Sequence, residues 1–320
     1  MTMLTIQETS RLLRSFDNIL ILTHLRPDGD TVGSAAALCA GLRALGKTAY
    51  LLPNPELTDT TAPYFRPYAA PEGFRPDRVI STDIAATALF PENARPYAGR
   101  VDLAVDHHPS FEYFGAANYV RPSAAATGEI IYDILADLGP ITAEMALPLY
   151  VAIATDCGCF AYSNTTSHTH AVTAALLRTG IDIRNVNKTF FRTKSRKRLA
   201  LEAAMLSGVE YHDQERLAVL AVPLSLMERI QATEPDAEDI SALGAQIGGV
   251  DCAVTMRELH LNVWKFSLRT GPRVNATKVC ALLGGGGHAA AAGCTIEAPL
   301  EEAKRKMLEA IAQVVPDFTL

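Results

Sequence analysis

Four short apolar runs in the first half of the chain are each followed by acidic or imidazole side chains. The runs cover residues 19–22, 78–80, 101–105 and 151–154, and each has the length and composition of a buried parallel strand. The carboxyl ends of parallel strands share one crevice in an open sheet. We therefore expect side chains that are distant in sequence to surround a single site there.

The alternation of apolar strands with segments of helical period continues from Met1 to about Asn187 and indicates stacked βαβ units. Asp30 or Thr31 is expected to cap a helix that runs to Leu45, and further helices are predicted at 124–138, 142–152, 170–179 and 182–191. The proline-rich residues 53–77 are expected to be irregular surface chain.

The pattern changes in the second half, where strands are expected at 216–222, 251–258 and 259–268 and helices near 224–231, 275–283 and 299–313. We predict an α/β protein with a parallel-sheet domain at 1–191, a connector at 192–207 and a smaller α+β domain at 208–320.

Composition restricts the possible partners. A formal charge of −6 argues against binding to long duplex nucleic acid, which requires many phosphate contacts, but it leaves a short anionic substrate open. No apolar run approaches the length of a membrane span, and the N-terminal segment reads as an amphipathic helix instead of a signal sequence. The six cysteines fit a reduced, cytoplasmic protein, and Cys157 and Cys159 are expected to pack instead of binding a metal.

The residues that follow the four runs predict a binuclear metal centre. Carboxylates and imidazoles fit Mn²⁺ well without fixing the metal, and a central carboxylate such as Asp83 could bridge two ions. Such a pair promotes phosphoester hydrolysis. We expect Asp106 to orient a metal-bound group and His108 to contact a phosphate oxygen. The candidate ligands are His24, Asp28, Asp30, Asp83, His107 and Asp156.

A second segment whose residues could bind a ligand is the glycine run 284–287, with His288 directly after it. Backbone N–H groups of Gly285, Gly286 and Gly287 could approach an anion, and Arg269 could anchor a phosphate; a plain flexible loop and a surface arginine are the alternatives. The basic run at 192–198 is a local exception to the acidic balance of the chain. A solvated helix start explains this run equally well.

Taken in order, these motifs resemble those of the DHH-DHHA1 phosphoesterases, specifically the group related to nanoRNase and pAp phosphatases. The similarity involves residues 23–30, Asp83, the Asp106-His107-His108 triplet, residues 156–160 and the glycine-rich segment 284–293. It extends over essentially the whole chain. Two positions depart from the pattern of the family, Cys157 and Ala289, and both bear on the shape of the pocket.

The resemblance implies two Mn²⁺ ions, with Mg²⁺ or Co²⁺ as substitutes. One ion would be held by His24, Asp28 and Asp83, and the other by Asp30, Asp83, His107 and Asp156. It also implies that His108 faces the scissile phosphate, that Arg269 with Gly286, Gly287 and His288 holds the far nucleotide, and that the smaller domain closes over the substrate. A homodimer is compatible with the family.

The function implied is hydrolysis of short oligoribonucleotides or linear dinucleotides to mononucleotides, together with pAp 3′-phosphatase activity. The alternatives are a phosphodiesterase dedicated to pApA and pGpG, the products of cyclic-dinucleotide turnover, and a nucleotide-binding module without catalysis. A processive single-strand exonuclease is disfavoured by the acidic balance of the chain.

Overall fold

Residues 2–237, 239–315 and 317 are described by the computed structural model. They fall into two units, Met1–Thr193 and Lys194–Leu320, each with its own sheet and apolar core. Among the described residues, no helix is both long enough and apolar enough to cross a membrane.

The first unit is built on a six-stranded sheet in which every pair of neighbouring strands is parallel. The strand order is β1-β6-β5-β4-β2-β3, so β2, β4 and β5 lie side by side. Three of the four apolar runs form these central strands, as predicted. The strands are β1 (Thr2–Met3), β2 (Ile19–Leu22), β3 (Ala49–Leu51), β4 (Arg78–Thr82), β5 (Leu103–Asp106) and β6 (Ala117–Val120).

Seven α-helices are present in the described part of this unit, and the last continues into a π-helical turn, Lys188–Arg192, where a longer helix over 182–191 was predicted. The proline-rich segment, expected to be irregular, includes a short helix and a 3₁₀ turn, Arg66–Tyr68. The helices are α1 (Ile6–Ser15), α2 (Gly29–Ala44), α3 (Ala62–Phe65), α4 (Thr127–Leu138), α5 (Ala143–Asp156), α6 (Ser167–Arg178) and α7 (Arg184–Asn187).

Helix α2 lies in the core and is buried from Gly29 to Leu42. Two glycines allow close packing around it: a Cβ added at Gly33 would lie 2.9 Å from Ala152 Cβ, and one added at Gly128 of α4 would lie 2.6 Å from the same atom. Both distances are shorter than real carbon contacts. Small residues therefore let α2, α4 and α5 approach closely, and this brings their ends to the sheet edge.

Two local predictions for this unit were wrong. The apolar run 151–154 lies inside α5 and is fully buried, and a short run that is apolar on all sides cannot be assigned to strand or helix by periodicity. The N-cap of α2 is Asp28, whose Oδ1 accepts from the backbone N–H groups of Asp30 (3.0 Å) and Thr31 (3.1 Å).

The second unit carries a mixed sheet of order β11-β12-β10-β9-β8-β7, in which only the β8–β9 pair is parallel. The three predicted strands and three predicted helices all form. The elements are α8 (Arg196–Ser207), β7 (Glu210–His212), β8 (Leu217–Val222), α9 (Leu224–Ile230), β9 (Cys252–His260), β10 (Val263–Thr270), α10 (Ala276–Ala281), β11 (Gly286–His288), β12 (Ala291–Glu297) and α11 (Leu300–Val314).

The glycine-rich segment is more regular than the plain flexible loop that was the alternative to an anion-binding role. Gly286 and His288 lie in β11, which pairs with β12 in a hairpin. At Gly285 an added Cβ would collide with the backbone of Gly293 and with Cys294, so close strand contact explains this glycine.

Candidate metal centre

Three adjacent strands deliver the central residues of the site. Asp83 directly follows β4, His107 directly follows β5, and His24 lies two residues beyond the end of β2. Because these strands are parallel neighbours, the three side chains converge at one sheet edge. The arrangement is the crevice that the sequence predicted.

The first group of possible metal ligands is His24, Asp28 and Asp83. The Nε2 atom of His24 lies 3.6 Å from Asp28 Oδ1 and 3.8 Å from Asp83 Oδ2. Asp83 is buried, whereas the Asp28 side chain is 56% exposed, so this group opens to solvent on the Asp28 side.

A second group comprises Asp30, His107 and Asp156. His107 Nε2 lies 3.9 Å from Asp30 Oδ2, 3.3 Å from Asp156 Oδ2 and 3.7 Å from Asp83 Oδ1. Asp156 reaches the site from the last residue of α5 and not from the end of a strand.

Asp83 joins the two groups, since its Oδ2 atom faces His24 and its Oδ1 atom faces His107. Its backbone has φ of 59°, in the left-handed region that costs energy for a residue other than glycine, and its N–H donates to Val105 O at 2.9 Å. The fold therefore holds Asp83 in a costly conformation that directs one carboxylate oxygen to each group.

Hydrogen bonds from the start of α4 support the buried carboxylates. The Thr127 hydroxyl donates to Asp83 Oδ1 (2.9 Å), and the backbone N–H groups of Thr127 and Gly128 donate to Asp30 Oδ2 (2.7 Å) and Oδ1 (2.9 Å). Ser34 Oγ also donates to Asp30 Oδ1 at 2.9 Å. The sequence analysis did not predict the roles of Thr127 and Ser34. Each has a hydroxyl group near the start of a predicted helix, and this position could have indicated a hydrogen bond to a carboxylate of the site.

Both imidazoles of these groups are oriented by backbone carbonyls. His24 Nδ1 lies 2.7 Å from Leu25 O, and His107 Nδ1 lies 3.2 Å from Ala124 O. A hydrogen bond from Nδ1–H to a carbonyl leaves the Nε2 lone pair directed at the carboxylates. This neutral form of the imidazole, with its proton on Nδ1, is the one that binds a cation through Nε2.

Asp106 contacts His108 and not His107. Its Oδ1 accepts from the backbone N–H of His108 at 2.6 Å and lies 2.9 Å from His108 Nδ1. This hydrogen bond raises the pKa of His108, with burial opposing it, so the cationic imidazole is favoured. His108 Nδ1 also lies 3.6 Å from Asp83 Oδ1.

The site carries excess negative charge. Burial, followed by repulsion from neighbouring carboxylates including Asp156, raises the pKa of Asp30 and Asp83 well above the ordinary range. Burial also raises the pKa of Asp156, although the nearby His107 opposes the shift. A divalent cation would relieve this repulsion, and the oxygen and nitrogen donors suit Mn²⁺ and related ions. The donor set therefore fits a metal.

The remaining residues predicted from the sequence are not members of these two groups of ligands. Cys157 is buried in the core, and burial raises its pKa to about 11, as expected for a packing residue. Arg269 and His288 belong to the second unit, on β10 and β11, where both residues are in register with Ala291 of β12 and so face one side of the sheet. In the basic run, Lys194 Nζ lies 2.8 Å from Glu202 Oε2 and Arg198 Nε lies 2.6 Å from Glu202 Oε1, so two of its cations pair with a buried glutamate of α8.

Comparison with known proteins identifies the family. The model of the DHH family, N-terminal domain, matches residues 18–153, and the model of the DHHA1 domain matches residues 229–317. The chain is 34% identical over 305 residues to the bifunctional oligoribonuclease and PAP phosphatase NrnA of Thermus thermophilus, covering 92% of this chain and 89% of that protein. The chain belongs to the DHH-DHHA1 family. The resemblance and the fold class predicted from the motifs are thereby confirmed.

Solved structures agree on the fold. An exopolyphosphatase-related protein from Bacteroides fragilis superposes with a TM-score of 0.84 at 23% identity, covering 97% of this chain and 96% of that chain. RecJ from Thermus thermophilus, solved in complex with Mn²⁺, has a TM-score of 0.55 at 15% identity and covers 96% of this chain and 55% of that chain. At these identities the similarity concerns architecture alone.

Proposed function

We propose that this DHH-DHHA1 protein is a metal-dependent phosphodiesterase that hydrolyses short oligoribonucleotides or linear dinucleotides to mononucleotides and also removes the 3′-phosphate of pAp. The observation that carries the proposal is the position of Asp83 between two groups of histidine and aspartate, with one carboxylate oxygen towards each. The name of the Thermus thermophilus relative, an oligoribonuclease and PAP phosphatase, supports the substrate class.

In this proposal, His24, Asp28 and Asp83 hold one Mn²⁺, and Asp30, Asp83, His107 and Asp156 hold the other. The grouping of these atoms and the excess negative charge support the assignment. Mg²⁺ and Co²⁺ are expected substitutes, since the donors are oxygen and nitrogen. Two such ions, when bound, lower the pKa of water and offset negative charge on the reacting phosphate.

His108 is proposed to hold the scissile phosphate. Its Nδ1 faces Asp106, so Nε2 is left to donate to a phosphate oxygen, and the side chain is 40% exposed and thus accessible. The raised pKa of His108 favours the cationic form, whose hydrogen bonds to an anion are the stronger kind. Asp106 is a positioning residue that acts through this imidazole.

Arg269 and the segment Gly285–His288 are proposed to hold the nucleotide that is distal to the cleaved bond, as the family resemblance implied. Their common side of the second sheet supports a shared role. The boundaries 1–191, 192–207 and 208–320, the homodimer and the cytoplasmic location stay predictions.

A substrate panel tests the function. Purified protein would be incubated with pAp, pApA, pGpG and RNA of two to five nucleotides, with Mn²⁺ and with chelator. We expect mononucleotide release from the dinucleotides and short RNA that stops with chelator. The variant Asp83→Asn should lose turnover, whereas Asp182→Asn, the same change at an exposed aspartate of the same unit, should retain it. Turnover of pApA and pGpG without turnover of RNA would favour the dedicated alternative, and nucleotide binding without turnover would favour a non-catalytic module.

A further inference from the structure

The chain that leads into α4 contacts three of the proposed metal ligands. The carbonyl of Ala124 lies 3.2 Å from His107 Nδ1. Thr127, the first residue of α4, donates through its backbone N–H to Asp30 Oδ2 at 2.7 Å and through its hydroxyl to Asp83 Oδ1 at 2.9 Å. The position of this short segment therefore sets the orientation of three side chains that surround one of the two proposed ions.

The backbone of Ala125, in the middle of this segment, is held from two sides. Its N–H donates to Glu129 Oε2 at 3.3 Å, and Glu129 is a buried residue of α4. Its carbonyl accepts a hydrogen bond from Asn164 Nδ2 at 3.0 Å. Because Asn164 lies in the loop between α5 and α6, this second contact fixes residues 124–127 to an element other than α4.

The same amide nitrogen of Asn164 reaches the backbone of a fourth ligand. Asn164 Nδ2 also donates to the carbonyl of Asp156, the last residue of α5, at 3.1 Å. Both partners are carbonyl oxygens, which only accept, so the NH2 group and not the amide oxygen must face them. An amide NH2 has two hydrogens, so one side chain satisfies both carbonyls. Asn164 thus joins the backbone that carries Asp156 to the backbone that orients His107.

The loop that carries Asn164 begins in a costly backbone conformation. Gly158, Cys159 and Phe160 have consecutive positive φ angles of 53°, 54° and 69°. Only glycine adopts this region without cost, so Cys159 and Phe160 destabilise the loop unless other contacts compensate. The N–H of Cys159 donates to a carbonyl of the last turn of α5 at 2.8 Å, which holds the reversal. The chain therefore turns back directly after Asp156, and Asn164 returns to the residue at which the helix ended.

We propose that Asn164 is a positioning residue for one of the two ions and acts through the backbones of Ala125 and Asp156. The inference rests on the proposed function for the assignment of ligands to that ion, which are Asp30, Asp83, His107 and Asp156. His24 and Asp28, which belong to the other ion alone, make their hydrogen bonds within residues 24–31 instead. The contacts of Asn164 should therefore matter for one ion and not for the other.

The test is calorimetric titration of Mn²⁺ into the full chain, so that the outcome does not depend on catalysis. Asn164→Leu keeps the branched shape and removes both donors, and Asn164→Ala removes the whole amide. Asn164 is exposed, so neither variant leaves a hole in the core. Asn185→Leu is the matched control, since Asn185 is an exposed asparagine of α7 in the same unit. Anomalous scattering from crystals equilibrated with limiting Mn²⁺ identifies the ion whose occupancy changes.

We expect both Asn164 variants to weaken the binding of one Mn²⁺ by about 10–100-fold, the usual effect of losing an outer contact that orients a metal ligand. The other ion should bind as it does in the wild type. In the crystals, the anomalous peak beside His107 and Asp156 should weaken, and the peak on the far side of Asp83 should not. Asn185→Leu should bind both ions like the wild type. An asparagine that only stabilises the fold would instead weaken both ions to the same extent.

Wild-type Mn²⁺ affinity in both Asn164 variants, equal weakening of the two ions, or the same loss in Asn185→Leu would each overturn the role of Asn164. Fewer than two bound ions in the wild type would overturn the metal centre together with this role. Failure of the proposed activity alone has a different signature. In that case, the wild type would bind two ions and turn over neither short RNA nor dinucleotides, while Asn164→Leu would still lose affinity for one ion.

Discussion

The substitution Thr127→Val tests whether the start of α4 prepares Asp83 for metal binding. Thr127 is fully buried, and its hydroxyl donates to Asp83 Oδ1 at 2.9 Å while its N–H donates to Asp30 Oδ2 at 2.7 Å. Valine keeps the branched shape and the backbone N–H group. The substitution therefore removes one donor from one oxygen of the proposed bridging carboxylate and leaves the other contacts in place.

The expected magnitude follows from two independent scales. A hydrogen bond to a charged acceptor contributes about 1.5–3 kcal/mol. Loss of an outer hydrogen bond to a metal ligand typically weakens metal affinity by about 10–100-fold, which corresponds to about 1.4–2.7 kcal/mol. Among the described side chains, the Thr127 hydroxyl is the only one that donates a hydrogen bond to Asp83 Oδ1. We therefore expect its removal to cost metal affinity within the whole of this range.

The assay is calorimetric titration of Mn²⁺ together with the Mn²⁺ dependence of dinucleotide hydrolysis. Thr127→Val should require about 10–100-fold more Mn²⁺, whereas Thr127→Ser, which retains the hydroxyl, should resemble the wild type. Wild-type affinity in Thr127→Val, or equal losses in the valine and serine variants, would refute the reasoning.

Three further predictions concern charge, pH and packing. Asp83→Asn should stabilise the metal-free protein against urea, because burial and neighbouring carboxylates raise the pKa of Asp83 in the folded state. A carboxyl group whose pKa is raised in the folded state destabilises the protein as the pH rises through that pKa. The increase in the free energy of unfolding on Asp83→Asn should therefore be larger at about pH 7 than at about pH 4. An equal increase at both pH values would contradict an origin in the raised pKa. Stabilisation by Mn²⁺, measured as a thermal shift, should grow from about pH 5 to about pH 8, since protons compete for Asp83 and for His24, whose pKa is raised by Asp28 against the effect of burial; a pH-independent shift would exclude that competition. Gly128→Ala should lower the free energy of unfolding by about 1–3 kcal/mol, because the added Cβ would lie 2.6 Å from Ala152 Cβ; unchanged urea unfolding would show that α4 and α5 can separate without cost.

The central strands and the groups that follow them were predictable because each apolar run is short, flanked by turns and followed directly by ionisable residues. The run 151–154 was misassigned because α5 is buried on all sides there and lacks the polar spacing that distinguishes a surface helix. Asp156 nevertheless reaches the site, since the end of a helix and the end of a strand can meet at the same sheet edge.

The supporting contacts could not be read from the sequence. Thr127 and Asp83 are 44 residues apart, and their hydrogen bond depends on how closely α4 packs beside α2 and α5. The side of the second sheet on which Lys265 lies depends on the register of β9 with β10, and a shift of one residue would turn Lys265 to the other side.

Anomalous scattering from crystals grown with Mn²⁺ tests the binuclear centre most directly. We predict two peaks, one beside His24 and Asp28 and one beside His107 and Asp156, with Asp83 bound to both. A single peak, or ions that do not contact Asp83, would contradict the account.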